Sequence, residues 1–132
     1  MKTLFAPNAR AILAIFTTVF LTACDNTATP QAISYAQDIK PILSEHCLEC
    51  HQAGGTGALA SGLVLSSYQE LMKGTKFGPV IKAGDSVSST LVILVEGRAD
   101  ASINMPHGDR PPVSKVQTQQ VRQWIDEGAL EN

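Results

Sequence analysis

Aromatic residues are scarce in this 132-residue sequence: one Trp, two Tyr and four Phe make up 5% of it. One small domain with so few large rings has only a modest core to bury. An excess of positive charge is also lacking. Ten Lys and Arg stand against twelve Asp and Glu, and the basic residues form no run that could track a phosphate backbone, which argues against nucleic acid as a partner. No apolar run reaches the ~20 residues of a spanning helix. No carboxylate pair, Ser/His/Asp set or nucleophile elbow is found, so hydrolytic catalysis has no support. The cysteines number three, an odd count.

The chain opens with an export pattern. Lys2 and Arg10 supply positive charge, Ala11 to Leu21 is apolar, and Leu21-Thr22-Ala23 offers small residues to a cleavage site. The apolar run ends at the polar residues past Cys24, so residues 1–23 read as a signal peptide and not a span. Leu21-Thr22-Ala23-Cys24 resembles the lipobox of bacterial lipoproteins. That resemblance implies cleavage before Cys24 and a lipid anchor on its thiol, each buried CH₂ contributing about 0.8 kcal/mol to membrane binding. Asp25 resembles the residue that keeps enterobacterial lipoproteins on the inner membrane. The expected location is therefore periplasmic, anchored to that membrane.

Lipidation of Cys24 leaves the even pair Cys47 and Cys50. Cleavage also removes Lys2 and Arg10, leaving 8 basic and 12 acidic residues in 109, a net charge of −4 that suits a partner with a basic docking face. Residues 24–33 form the anchored tether; Asp25 to Ala32 is polar, contains Pro30 and reaches roughly 15 Å. Residues 34–132 form the folded domain.

Within that domain, Tyr35, Ile39, Ile42 and Leu43 have helical spacing, with Asp38 as a capping residue and Pro41 in the first turn. Gln52 to Gly62 is glycine-rich without the Gly-Lys-Ser/Thr ending of a phosphate loop, and reads as a loop turning past a bulky group. Ser67 to Glu70 has capping-box spacing and starts a short helix that ends at Gly74. Phe77 to Ala83 reads as extended, followed by a Gly84-Asp85 turn. Thr90 to Val95 suits either a strand or a short buried helix. Asn104 to Val113, with three prolines and a glycine, is a constrained loop. The last helix starts at Ser114, boxed with Gln117, or at Thr118, shows Val121, Trp124 and Ile125 on one face, and stops at Gly128.

Cys47-Leu48-Glu49-Cys50-His51 is the C-x-x-C-H pattern of c-type haem attachment. Two thiols three residues apart can add to the two vinyl groups on one haem edge, and the next residue's imidazole then reaches the iron. His51 is the expected proximal ligand of one covalent haem c. A large apolar group also suits a core with few rings. Two other readings compete with haem attachment. A redox or structural disulfide would fit an oxidising compartment, but the chain lacks the strand-helix alternation of a thioredoxin fold. A zinc site of Cys47, Cys50, His51 and His107 is awkward because adjacent residues 50 and 51 point in divergent directions.

Beyond that motif, Asp38-Ile39-Lys40-Pro41-Ile42-Leu43, Gly62-Leu63-x-Leu65, Gly84-Asp85 with Ser89-x-Leu91, Met105-Pro106 and Trp124-Ile125-x-x-Gly128-Ala129 together resemble the planctomycete-type cytochrome c domain, over roughly Ser34 to Leu130. The resemblance implies an all-α, cytochrome c-like fold in which the first helix (Ile39, Ile42, Leu43) packs on the last (Val121, Trp124, Ile125) around the haem. It also implies Met105 as distal ligand, with His107 as the alternative because it stands where the family often has a second proline. His46 is expected to face away from the iron, as a surface residue or a hydrogen-bond donor, Met72 and Trp124 are expected in packing roles, and Glu49 in solvent. The function implied is electron transfer without enzymatic chemistry, between redox partners such as a dehydrogenase or an oxidase. A haem enzyme or a gas or redox sensor is the alternative, and would need a displaceable distal ligand.

Overall fold

The computed structural model describes residues 31–132. The expected signal peptide, Cys24 and tether residues 24–30 lie outside the described residues. Ser34 opens the first helix: its hydroxyl accepts from the Gln37 N–H at 3.2 Å, and the Asp38 carboxylate accepts from the Ser34 N–H at 2.8 Å. The cap is therefore Ser34 and not Asp38. Ser34 has the extended backbone of a capping residue (φ −90°, ψ 130°), whereas Asp38 already lies inside the helix and can only reach back to it.

Tyr35–Ile39 form a π-helical turn, and α1 follows over Lys40–His46. Pro41 accounts for the wider turn. It has no N–H to donate and its ring crowds the carbonyl four residues back, so the bonding lengthens and Lys40 N–H donates to Tyr35 O. The remaining helices are α2 (Leu48–His51), α3 (Thr56–Ser61), α4 (Tyr68–Lys73), α5 (Thr90–Val95) and α6 (Lys115–Asp126). Among the described residues there is no β-strand, only an isolated bridge between Thr75 and Gly78, so the fold is all-α as expected.

Two segments differ from or refine their sequence reading. The glycine-rich stretch holds helix α3, because Gly55 is extended before Thr56 and Gly62 takes the left-handed conformation (φ 83°) that closes a helix, its N–H donating to Ala58 O. The ambiguous Thr90–Val95 run is helical, with Leu91 and Val92 buried. At the last helix the reciprocal box of Ser114 and Gln117 forms, so the earlier of the two starts is used.

The first helical turns pack on α6. Ile39, Trp124, Ile125 and Ala129 are almost fully buried, in one cluster with Ile42, Leu43 and Val121. Tyr35 lies edge-on to Tyr68 at 5.2 Å and beside Trp124 at 5.7 Å. Both polar tips are satisfied: Tyr68 Oη donates to Ala129 O at 2.8 Å and Trp124 Nε1 to Leu130 O at 2.9 Å. Asn132 fixes the start of the first helix, its Oδ1 accepting from Tyr35 N–H and its backbone oxygen from Ala36 N–H and Ser34 Oγ. Tyr35, Tyr68 and Trp124 are thus gathered at one pole, beside the start of α1. Its other end delivers Cys47.

Candidate functional site

Cys47 breaks the helical path. Its backbone (φ −126°, ψ −37°) separates α1 from α2, and α2 then carries Glu49, Cys50 and His51 on a single turn. Both thiols are free and half-buried, and His51 is buried. The three open onto a cavity of about 660 Å³, lined also by apolar Val80, Leu91 and Leu94 and by the more exposed Met105, His107 and Arg110.

The His51 ring is held from two sides. Its Nδ1 lies 3.1 Å from Leu63 O, and since a carbonyl can only accept, Nδ1 carries the proton and Nε2 keeps a free lone pair. Leu65 N–H donates to His51 O at 2.8 Å, so the Gly62-Leu63-x-Leu65 segment clamps both the ring and the backbone of this residue. On the other side lies Gly57. A Cβ there would stand 2.8 Å from both Cε1 and Nε2 of His51 and 3.1 Å from Cys50 O. Gly57→Ala is therefore expected to destabilise the domain by about 1–3 kcal/mol, because the ring cannot yield without breaking its bond to Leu63. A thermal melt should show a fall of roughly 4–8 °C per kcal/mol; an unchanged midpoint would contradict this packing.

Burial pushes the Cys47 thiol up to about 11, with the Arg110 guanidinium pulling in the opposite direction. His46 departs from its expected surface position. Its side chain is only 8% exposed and borders the cavity, because it lies one helical turn after Ile42 and Leu43 on the buried face of α1. Its Nε2 is the one buried side-chain nitrogen or oxygen without a hydrogen-bond partner among the described residues. Glu49 is solvated as expected, yet it also pairs with Arg110. Met72 and Trp124 pack with the core and do not line the cavity.

Met105 is half-buried at the rim, its N–H donating to Leu94 O at 3.1 Å. His107 also borders the cavity but is exposed. No group of three or more His, Cys, Asp or Glu side chains converges on a metal position among the described residues, so the four zinc donors considered above do not come together. The residues do fit a haem. The cavity has the size and apolar character of a cofactor site. His51 presents an unprotonated nitrogen, and exposed Phe77 and Ile103 at the rim are apolar surface that a bound macrocycle would cover. Cys47, Cys50 and His51 would hold such a group, and Met105 and His107 border the same cavity.

Sequence reading missed the Leu63 carbonyl, the Gly57 contact, the buried His46 and the Arg110–Glu49 pair; the glycine-rich composition pointed toward the second, and helical spacing from Ile42 and Leu43 toward the third. Comparison with protein families matches residues 47–109 to Planctomycete cytochrome C. The match starts at the first cysteine of the motif and ends in the constrained loop, inside the wider span of the resemblance. No curated protein and no solved structure matches the chain.

Proposed function

We propose, from the premise that residues 47–109 are a Planctomycete cytochrome C domain, that the protein is a monohaem electron carrier of the periplasm, tethered through Cys24 to the inner membrane. One haem c is linked to Cys47 and Cys50, with His51 as proximal and Met105 as distal ligand. Bound there, the group supplies a one-electron iron couple. The chain's residues do the rest. Leu63 O keeps the proton on Nδ1 so that Nε2 can bind metal, and the apolar walls exclude water. The partner is a redox protein such as a dehydrogenase or an oxidase.

The observation that carries this reading is the meeting of Cys47, Cys50, His51 and Met105 on one apolar cavity. Absorption spectra of the purified protein in both redox states, with and without carbon monoxide, test it. A carrier with both axial positions filled keeps its reduced spectrum in carbon monoxide. Rapid binding of the gas would instead support an enzyme or sensor.

The anchor has its own test. Cys24→Ser is expected to move the exported protein from the membrane fraction to the soluble fraction or to block its processing. Wild-type protein recovered soluble with Asp25 or a later residue at its N-terminus would overturn the anchor.

A further inference from the structure

Residues 106–113 cross the cavity rim between two fixed points. Upstream, the Asn104 side chain accepts from Ala99 N–H at 3.2 Å and donates to Ala99 O at 3.3 Å, and Met105 N–H is bonded to Leu94 O. Downstream, Ser114 is locked into the cap of α6. Between these points, one polar contact ties the loop to another part of the chain among the described residues: the Arg110 guanidinium against the Glu49 carboxylate. Glu49 stands between the two cysteines, so the contact joins the rim loop directly to the C-x-x-C-H motif.

The position of Arg110 has two independent marks. It borders the same cavity as Cys47 and Cys50, and its guanidinium meets the Glu49 carboxylate between them. Pro106, Pro111 and Pro112 remove backbone freedom on either side of Arg110. A stiffened loop moves as a strap, and a single clip near its middle then restrains all of it.

We propose that Arg110 is a positioning residue, clipped to Glu49, that holds the loop bearing Met105 closed over the cavity. This rests on the reading of Met105 as the distal ligand. The two side chains are 34% and 73% exposed, so water and salt screen the pair. Its effect on loop opening is therefore modest, about two- to fivefold, as for a surface ion pair. Ionic strength thereby becomes a control on how readily the distal ligand gives way, with high salt loosening the strap.

The test uses the purified holoprotein as wild type, Glu49→Gln, Arg110→Gln and the exchange Glu49→Arg/Arg110→Glu. Two readouts are taken at about 0.01 M and about 1 M salt: the rate of carbon monoxide binding to the reduced protein, and hydrogen exchange of the backbone amides of the 104–113 loop. At low salt each single variant should exchange and bind gas about two- to fivefold faster than wild type, the exchanged pair should restore slow opening, and the differences should vanish at high salt. Single variants that match wild type at low salt in hydrogen exchange, or that stay faster at high salt, overturn the latch. The wild-type near-infrared band of methionine-ligated ferric iron is recorded alongside. Its absence removes the Met105 reading and the gas-binding arm, while the exchange arm still decides whether Arg110 holds the loop.

Discussion

Replacing Cys47 and Cys50 together by alanine is expected to give a chain that keeps no haem through denaturing electrophoresis or acid-acetone extraction and that no longer unfolds cooperatively. The first outcome follows from the motif, since the two thiols are the only described cysteines and both open onto the cavity. The second follows from volume. The walls of an unfilled apolar cavity of about 660 Å³ have no partner atoms to pack against, and the whole stability of a typical domain is only ~5–15 kcal/mol. With seven aromatic rings in the entire sequence, three of them committed to the Tyr35–Tyr68–Trp124 cluster, the chain has little with which to refill the space. A haem stain and a far-ultraviolet circular dichroism melt measure the two effects. Loss of all colour from the wild type on extraction would contradict covalent attachment, and a sharp melt in the double variant would contradict a core organised around the group.

What could be read from sequence was local. The C-x-x-C-H motif, the Ser114–Gln117 box and the Gly74 stop each depend on residues within one turn of one another, and each is where the sequence puts it. The start of the first helix is not legible locally, because Asp38 and Ser34 are both good caps four residues apart. The choice between them is made by distant groups, since Asn132 binds the backbone at Tyr35 and Ala36 and so stabilises the earlier start. The Thr90–Val95 run shows burial overriding the preference of β-branched residues for strands. The site's supports were harder still to read. Leu63 acts through a backbone carbonyl that any residue would supply, and Arg110 meets Glu49 across a separation in sequence that no short motif spans. His46 is legible after all, since it stands three and four residues after the buried Leu43 and Ile42 and so shares their helix face.

Met105→Ala is expected to abolish the near-infrared band that a methionine sulfur gives with ferric iron, to lower the reduction potential, and to open the reduced protein to carbon monoxide; His107→Ala should leave all three close to wild type. Met105 and His107 both border the cavity, so proximity alone does not choose between them. Anchoring does. The Met105 backbone is bonded to Leu94 O and follows the Asn104–Ala99 pair, so its thioether can be held in place at little further cost in entropy. His107 is exposed, followed by Gly108 in a left-handed conformation (φ 71°), and its imidazole would have to leave water to reach iron. A thioether opposite His51 favours the reduced state, whereas a second imidazole would lower the potential. The near-infrared spectrum, a redox titration and gas binding on the three proteins check the assignment. The reverse pattern, with the wild-type axial ligation surviving Met105→Ala and lost in His107→Ala, would transfer the distal role to His107 and make the loop a bis-histidine device.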